Sequence, residues 1–599
     1  MPYRTPVRDM KFTLDHMAGF AAVRETGAFE DLGDDLIAAV LEEVGKLADN
    51  VLAPLNRVGD EVGARFENGT VTMPDGFRAA YRDYVEGGWN GLAFPEDHGG
   101  QGLPQSLALC VSDSLFAANI GFAMGFCLTT GAVKALLAHG SDEQRALFLP
   151  KMVSGEWAGT MCLSEPQAGS DLSAVRTRAE PVGDGRYRIK GSKCWISYGE
   201  HDLTDNICHL VLARLPDAPE GTRGISMFLV PKFNVNDDGK LGARNDLKCV
   251  SIEEKLGQHA SPTCVLAFGD EGDCFGTLVG KENEGLKNMF VMMNAARIDV
   301  GMQAASVSER AFQQALEFAQ ERPQGRDFGV KSGPQVPIIN HPDVRRQLYV
   351  MKALTEASRA ICYATMVSHD VAKYSPDAAV AAAAKEREEL LTPIAKSFAS
   401  DRAIETTSTG IQVHGGMGFV EETGAAQHLR DVRICAIYEG TNGIQAIDLV
   451  GRKLGMGAGK LAYDFIAEIR DEAAALAGSG DADLAAIGTR LGAEAGRLEQ
   501  ATRWMVDAMA RDPEEGLAGA SAYQDQLGYV AGGYYLARGA AAAAKLAADG
   551  AGDTAWYRAK VAIARFYADH LPPRASANGV AAMAGRQAVR EIDPALLAG

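Results

Sequence analysis

The sequence predicts an α+β protein in which a β domain lies between helical domains. Three observations support this prediction: the chain has 599 residues, 47% of them are hydrophobic and 23% charged, and the secondary-structure signals change along the chain. At roughly 100–200 residues per domain, such a chain accommodates about three to five domains. Its composition is that of a globular protein, which excludes disorder as the main state.

The net charge and the cysteine pattern exclude some classes of function for this protein. The 59 basic and 78 acidic residues leave a formal charge of −19. This charge argues against a general nucleic-acid binder, because such proteins need excess cations to neutralise phosphates, but it is compatible with anionic small ligands. The 10 cysteines form no CxxC pair and no zinc-finger spacing with His. We therefore expect reduced core cysteines, no metal site and, since no signal-peptide pattern is present, a cytoplasmic location.

Residues 1–157 are predicted to form a helical domain. Apolar residues recur at helical spacing between Asp35 and Asn56, and Ser141 with Gln144 forms a capping-box pattern. The segment Ser114–Val133 carries no charged residue and is long enough to span a bilayer. Its polar residues and glycines favour a buried helix instead, so we expect no membrane span.

Residues 158–285 are predicted to form the β domain. Short runs of β-forming residues are separated there by Gly, Asp, Asn and Pro, and Gly183-Asp184-Gly185 predicts a hairpin turn. The runs are Tyr187–Ile189, Cys194–Ser197, Ile207–Ala213, Ile225–Val230 and Thr263–Phe268.

Two further helical regions follow the β domain. Residues 286–455 are predicted to form a helical bundle, in which the alanine-rich run Ala378–Ala384 starts a strong helix and Arg322–Pro342 forms a long loop. Residues 456–599 are predicted to form an extra helical domain with a loop at Asp512–Gly519. This last region contains no motif of a catalytic type, so we expect a role in packing or oligomer support.

Two motifs in the β domain could bind a ligand. Met161–Asp171 contains the small residues Gly169 and Ser170, whose backbone amides could approach a planar or phosphorylated group, although the same residues also make ordinary turns. Trp195 and Ser197 lie two residues apart on a strand and hence on one face. A ring and a hydroxyl on one face suit an aromatic cofactor, and they also suit an ordinary core.

Two motifs in the bundle could serve chemistry. Glu439 lies between the apolar run Ile434–Tyr438 and Gly440, and poor solvation makes a carboxylate more basic. A glutamate that starts a helix is the alternative. Gln412–Phe419 contains a glycine pair whose amides could meet a pyrophosphate, and a tight turn is the alternative.

In this order, the motifs resemble those of the acyl-CoA dehydrogenase family over residues 35–455. The length near 600, the extra C-terminal helical region and the opening Tyr3–Met10 resemble the bacterial subgroup that contains the 3-(methylthio)propanoyl-CoA dehydrogenases. The matching stretches are Leu163–Asp171, Lys193–Ser197, Arg297, Arg326 with Phe328-Gly329, Gln412–Phe419, Leu429–Asp431 and Tyr438–Thr441.

The resemblance implies FAD as the cofactor and an acyl-CoA thioester as the substrate. Ser164 is implied to bond the flavin pyrimidine edge, Ser197 to bond N5, and Arg326 to reach the pyrophosphate of a neighbouring subunit's FAD, so we expect a homodimer or larger oligomer. The CoA site is implied at Ser170, Arg297 and Gly440. The implied cofactor-binding residues are Met161, Leu163, Ser164, Trp195, Ile196, Ser197, Arg326, Phe328, Gln412, Gly415, Gly416 and Thr441.

The resemblance also implies that Glu439 removes the α-proton while flavin N5 accepts a hydride from the β-carbon, giving a trans-2-enoyl-CoA. Some members carry the base at the position of Ala296 here, which leaves Glu439 as the candidate. We expect 3-(methylthio)propanoyl-CoA as the preferred substrate, with short straight-chain acyl-CoAs also accepted, and electron-transferring flavoprotein as the electron acceptor. The alternatives are a short- or medium-chain acyl-CoA dehydrogenase, an acyl-CoA oxidase and a non-catalytic helical scaffold. Met161 and Gly443 depart from the residues common in the family.

The uncharged helix Ser114–Val133 is expected to line the acyl end of the substrate pocket. Its glycines, Gly121, Gly125 and Gly131, leave room on parts of its surface, and its phenylalanines close other parts. The alternative is that the glycines only permit close helix packing.

Overall fold

The computed structural model describes residues 3–598 and divides them into two compact units. The β-containing unit comprises Glu42–Asp299 with residues 3–5, and the helical unit comprises Pro6–Leu41 with residues 300–598. The first predicted domain, 1–157, includes residues 1 and 2, and the last, 456–599, includes residue 599. These three residues lie outside the described residues. The three predicted boundaries between the four domains remain predictions.

The helices and strands are numbered in chain order. The helices are α1 Val7–Phe12, α2 Ala21–Arg24, α3 Asp34–Leu47, α4 Ala53–Val62, α5 Phe77–Glu86, α6 Gln105–His139, α7 Asp142–Ser154, α8 Gly285–Glu321, α9 Pro342–Tyr374, α10 Ala378–Val413, α11 Ala425–Val432, α12 Asn442–Asp448, α13 Lys460–Ala477, α14 Ala482–Arg511, α15 Pro513–Ala548, α16 Thr554–His570, α17 Pro572–Ala582 and α18 Gln587–Arg590. The strands are β1 Arg65–Glu67, β2 Thr70–Thr72, β3 Trp157–Cys162, β4 Arg178–Gly183, β5 Arg186–Ser197, β6 Asn206–Arg214, β7 Ile225–Pro231, β8 Phe233–Val235, β9 Leu241–Arg244, β10 Leu247–Ile252, β11 Thr263–Phe268 and β12 Phe275–Val279.

An eight-stranded sheet forms the centre of the β-containing unit. Its strand order is β10-β11-β5-β12-β7-β6-β3, with β4 paired to β5 and β6 outside this path. The strands β6 and β7 are buried along nearly their whole length, because apolar side chains cover both faces of the sheet. All the predicted β runs lie within these strands. The predicted hairpin turn joins β4 to β5, with φ of 51° at Asp184 and 69° at Gly185.

The predicted uncharged helix lies within α6, which is long and apolar enough to cross a membrane. In its most apolar window, 78% of the residues are buried inside the protein, as expected of a core helix. The helix is broken at Asn119, whose backbone is extended (φ −161°, ψ 91°). The Asn119 side chain restarts the helix by accepting a hydrogen bond from the Phe122 N–H at 3.0 Å.

The glycines of α6 are sites of close packing. A Cβ atom at Gly125 would lie 2.9 Å from the Tyr198 ring, and one at Gly131 would lie 2.9 Å from Met292. The Tyr198 hydroxyl donates to the Gly121 carbonyl at 2.6 Å. These contacts favour the packing interpretation of the glycines over the expected pocket lining.

In the helical unit, the long helix α15 of the extra domain packs on α9, α10, α14, α16 and α17. Glycines on α15 allow this close approach. A Cβ atom at Gly528 would lie 2.5 Å from Phe398 of α10, and one at Gly532 would lie 2.9 Å from Ala357 of α9. The extra domain is therefore closely packed against the bundle helices.

The N-terminal helix α1 is held between α9 and α16. The Asp9 carboxylate lies 2.6 Å from the Lys352 ammonium and 2.7 Å from the Lys560 ammonium. The Arg8 guanidinium pairs with Asp553 at 3.2 Å and lies over the ring of Trp556 at 4.0 Å. The beginning of this unit is thus tied to one of its last helices.

The prediction of a loop at Asp512–Gly519 was wrong. The helix α14 ends at Arg511 and α15 begins at Pro513, so only Asp512 separates them. Pro513 occupies the first helical turn, where proline is tolerated, and the Asp512 carboxylate caps the helix by accepting from the Glu514 N–H at 3.1 Å. Turn-forming residues here mark a helix start rather than a loop.

Candidate active site

In the β-containing unit, a buried ion pair holds the loop after β3. The Lys193 ammonium lies 2.8 Å from a Glu165 carboxylate oxygen, and the two side chains are 0% and 4% exposed. Lys193 also donates to the Leu163 carbonyl at 2.9 Å. The Cys194 N–H bonds the Ser164 carbonyl at 3.0 Å. The loop bearing Leu163 and Ser164 is therefore fixed against β5.

The Glu165 carboxylate is surrounded by donors. It accepts from the backbone N–H groups of Arg176 at 2.8 Å and Thr177 at 3.0 Å, and from the Thr177 hydroxyl at 2.6 Å. Burial disfavours the charged form, but the Lys193 ammonium and these donors outweigh burial and hold the pKa of Glu165 at about 2. The carboxylate is consequently ionised at neutral pH.

A bulge in β5 exposes the Trp195 ring. The pairing of β5 with β11 shifts register between Cys264 and Leu266, and Trp195 has a left-handed φ of 59°. Bulges of this kind redirect a side chain near a functional site. The Trp195 residue is 58% exposed, whereas Ile196 is buried and Ser197 is half-buried.

A cysteine and a histidine meet in the same sheet but do not form a nucleophilic pair. The Thr160 hydroxyl lies 2.7 Å from His209 Nδ1, and Cys162 Sγ lies 3.8 Å from the same atom. Burial raises the pKa of Cys162 to about 12 and lowers that of His209 to about 3. Both groups are neutral core residues.

The two residues implied in the CoA site of this unit differ in exposure. Ser170 is exposed on the loop after β3, whereas Arg297 is buried on α8, where it donates to the Asn294 side chain at 3.3 Å. Ala296 is also buried.

In the helical unit, Glu439 occupies a left-handed turn just before α12. Its φ is 56° and that of Gly440 is 81°. Left-handed backbone is rare for a residue with a Cβ atom, and such residues cluster at functional sites. Glu439 is half-buried and Ile437 is 48% exposed, so the apolar run before Glu439 shields it less within this unit than the sequence predicts.

Side chains on both sides anchor this turn. The Tyr438 hydroxyl donates to the Gln303 side chain on α8. The Gln445 amide donates to the Gly440 carbonyl at 3.1 Å and to the Glu439 carbonyl at 3.4 Å. The Thr441 hydroxyl caps α12 by accepting from Ile444 N–H at 3.2 Å.

Asn442 ties the turn to α10. Its amide oxygen accepts from Lys396 at 2.8 Å, and its amide nitrogen donates to Ser400 at 3.0 Å and to Asp401 at 2.8 Å. Lys396 is fully buried. The Asn442 backbone carbonyl also accepts from Gln524 of α15 at 3.1 Å.

Several residues that are expected to contact FAD are exposed in the helical unit. Gln412, Gly415 and Gly416 are exposed, and no heavy atom lies within 4 Å of the position a Cβ would take at either glycine, so the backbone there is open to a ligand. Arg326 and Phe328 are exposed on the loop between α8 and α9. Among residues 3–598, no group of three or more His, Cys, Asp or Glu side chains is arranged to hold a metal ion.

The structure joins several predicted site residues and adds others. Leu163 and Ser164 are hydrogen-bonded to the β5 segment that carries Trp195, and Glu439, Gly440 and Thr441 form one turn. The sequence reasoning missed the anchoring residues, which are Glu165, Asn442, Gln445, Lys396 and Gln524.

Comparison with known proteins identifies the family. The models of the acyl-CoA dehydrogenase N-terminal, middle and C-terminal domains match residues 37–156, 160–270 and 283–454. A model described as acetyl-CoA dehydrogenase C-terminal like matches residues 465–593. The three acyl-CoA dehydrogenase domains therefore occur here in their family order.

Relatives are similar along nearly the whole chain. A 3-methylmercaptopropionyl-CoA dehydrogenase from Ruegeria pomeroyi is 43% identical over 578 residues, covering 96% of this chain and 97% of that protein. A broad-specificity linear acyl-CoA dehydrogenase from Mycobacterium tuberculosis is 33% identical over 590 residues, covering 95% of this chain and 96% of that protein.

A solved structure shares the fold. The acyl-CoA dehydrogenase from Bacillus anthracis, determined in complex with FAD, superposes with a TM-score of 0.70 at 20% identity, covering 95% of this chain and 90% of that one. The matched domains and these end-to-end similarities show that the chain belongs to the acyl-CoA dehydrogenase family, whose members are FAD-dependent oxidoreductases acting on acyl-CoA thioesters.

Proposed function

We propose that this acyl-CoA dehydrogenase oxidises 3-(methylthio)propanoyl-CoA to the trans-2-enoyl-CoA, with Glu439 as the base. The observation that carries the substrate is the 43% identity to a 3-methylmercaptopropionyl-CoA dehydrogenase over 97% of that protein's length. Relatives named for straight-chain acyl-CoAs are less similar, at 38% identity over 479 residues for a butyryl-CoA dehydrogenase and 33% over 590 residues for the broad-specificity enzyme. Short straight-chain thioesters are expected to be weaker substrates.

The thioester carbonyl acidifies the proton on the α-carbon, and the Glu439 carboxylate takes this proton. FAD, when bound, would supply the oxidant for the β-hydrogen, which would leave as a hydride with both electrons of its C–H bond. The two carbons left behind form a double bond, so one proton and one hydride leave for each product made. Gln445 holds the left-handed backbone of Glu439 and Gly440. This supports the role of Glu439 as the base, because a fixed backbone limits the positions that its carboxylate can take.

The proposed cofactor contacts are the residues that the family resemblance implies. The exposed Trp195 ring and the adjacent half-buried hydroxyls suit the isoalloxazine ring, and the open glycine backbone suits the pyrophosphate. The full set is Met161, Leu163, Ser164, Trp195, Ile196, Ser197, Arg326, Phe328, Gln412, Gly415, Gly416 and Thr441, with Ser170, Arg297 and Gly440 assigned to the CoA thioester.

Electron-transferring flavoprotein is proposed as the electron acceptor, since the chain is a dehydrogenase of this family. A homodimer or larger oligomer is proposed because Arg326, implied to serve a neighbouring subunit's cofactor, is exposed on its own unit. A cytoplasmic location is proposed on the cysteine usage, all ten cysteines being buried and free of disulfides.

The substrate proposal is tested by initial rates with an artificial electron acceptor. The panel contains 3-(methylthio)propanoyl-CoA, butyryl-CoA and octanoyl-CoA at matched concentrations. The methylthio compound should give the highest kcat/KM, and the proposal fails if either straight-chain compound exceeds it at least tenfold. Hydrogen peroxide measured in air without the acceptor should stay below stoichiometric amounts, whereas one peroxide per turnover would identify an oxidase.

The base is tested with Glu439→Gln, which keeps the side-chain shape and removes the proton acceptor. Loss of a general base should slow flavin reduction by at least ~10²–10⁴-fold, while the purified protein stays yellow and binds acyl-CoA. Glu422→Gln is the matched control, because Glu422 is an exposed carboxylate of the same unit. Bleaching of Glu439→Gln at the rate of the control would refute the assignment.

A further inference from the structure

We propose that the extra helical domain takes part in catalysis, with Gln524 of α15 as a positioning residue for the turn that carries Glu439. This inference rests on the proposed role of Glu439 as the base. It assigns a function to a region whose sequence contains no motif of a catalytic type.

The turn needs external support, because two consecutive residues adopt the left-handed conformation. Glycine adopts it freely, but Glu439 has a Cβ atom that disfavours it. Such a conformation persists only where the surroundings fix it. The turn is fixed from three directions: by Gln445 of α12, by α10 through the Asn442 side chain, and by α15 through the Asn442 backbone carbonyl.

The contact from α15 is a directed hydrogen bond. The Gln524 amide nitrogen donates to the Asn442 carbonyl at 3.1 Å, three residues after the base. Gln524 is 4% exposed, and a buried amide is disfavoured unless it is hydrogen-bonded. Its amide oxygen has no hydrogen-bond partner within residues 3–598. A buried glutamine that uses its amide nitrogen in this way is better explained by positioning the turn than by packing, which an apolar side chain would serve as well.

The helix that carries Gln524 is a firm support. One turn further along, Gly528 lets α15 approach α10 so closely that a Cβ atom would lie 2.5 Å from the Phe398 ring. Phe398 lies on α10 between Lys396 and Ser400, the residues that bind the Asn442 side chain. Asn442 is therefore held by two helices that are themselves in close contact.

Removing the Gln524 donor should let the turn move. Because small misplacements of a catalytic group lower the rate strongly, we expect Gln524→Met to slow flavin reduction about tenfold, with KM changed less than twofold. The primary isotope effect with α-deuterated substrate should rise, since proton removal becomes more rate-limiting. Amide hydrogens of residues 437–445 should exchange faster.

Gln526→Met is the matched control. Gln526 lies on the same helix, is fully buried, and its amide has no hydrogen-bond partner within residues 3–598; it faces Gly579 of α17. The same chemical change there should leave the isotope effect and the exchange of residues 437–445 unchanged. Gln524→Asn, which keeps the amide and shortens its reach, should behave like Gln524→Met and replaces it if the latter does not fold.

The hydrogen exchange separates this inference from the proposed function. If Gln524→Met and Gln526→Met give the same exchange in residues 437–445 and the same isotope effect, the positioning role of Gln524 is wrong, whatever residue acts as the base. A second outcome is that the exchange of residues 437–445 rises only in Gln524→Met while Glu439→Gln remains active. In that case Gln524 does support the turn, but Glu439 is not the base.

Discussion

Lys193→Met should destabilise the β-containing unit and loosen the loop that bears Leu163 and Ser164. The substitution leaves the Glu165 carboxylate buried without its cation. Breaking a buried ion pair by removing one partner costs about 3–5 kcal/mol. Because Glu165 keeps donors from Arg176 and Thr177 at 2.6–3.0 Å, we expect the lower end, about 3 kcal/mol in the free energy of unfolding.

For a unit of this size, about 3 kcal/mol corresponds to a Tm lowered by roughly 6–12 °C. The assay is thermal unfolding at pH 7.5 with saturating FAD, together with flavin absorbance after gel filtration. The Lys193→Met protein should also retain less FAD, because the loop that it releases contains the proposed flavin contact Ser164.

Two controls make this test decisive. Lys190→Met changes an exposed lysine of the same strand and should shift the Tm by no more than 2 °C. The double variant Lys193→Met/Glu165→Gln removes both charges and should recover at least half of the lost Tm, since no uncompensated buried charge remains. Equal Tm values for the two single lysine variants, or no recovery in the double variant, would refute the reasoning.

Three further outcomes are expected. Arg326→Ala should remain folded but lose most of its FAD on dialysis, because the proposed contact of Arg326 with the FAD pyrophosphate is a charge-assisted hydrogen bond, the stronger kind. The control Arg322→Ala should keep its FAD. Full flavin occupancy in Arg326→Ala would contradict the assigned contact. Gly125→Leu should lower stability by ~1–3 kcal/mol through collision with Tyr198 and leave chain-length preference unchanged, whereas a shortened preference would restore the pocket interpretation. The pKa of Glu165 is lowered from 4.5 to about 2, so the stability it contributes is present above pH 4.5 and lost as the pH falls toward 2; the Tm difference between wild type and Glu165→Gln should shrink over that range.

The sequence predicted local structure well where a few neighbouring residues determine it. The hairpin at Asp184 and the capping box of Ser141 with Gln144 formed as predicted, the latter with hydrogen bonds of 3.2 and 3.0 Å. The predicted helix from Asp35 to Asn56 is divided by a π-helical turn at Ala48–Leu52. The extra residue of that turn changes which side chains face the core, and spacing alone does not reveal it.

Most of the anchoring residues could not be predicted, because their partners are distant in the sequence. Lys193 pairs with Glu165, which lies 28 positions earlier in the chain. Gln524 donates to the carbonyl of Asn442, which lies 82 positions earlier. From the sequence alone, a buried polar residue cannot be distinguished from an exposed one, because its hydrogen-bond partner is known only from the fold. The site motifs themselves were recognised through resemblance, and the residues that hold them required coordinates.

The attachment of α1 has a consequence for how the chain is made. Arg8 pairs with Asp553, a residue 545 positions later. At about 5–20 residues per second, a ribosome needs roughly 30–110 s to deliver that partner. During this interval we expect Met10 and Phe12 of α1, both buried in the finished protein, to remain exposed on the nascent chain. Helix α1 therefore reaches its final packing only after α16 has been made, so we expect it to be among the last helices to dock.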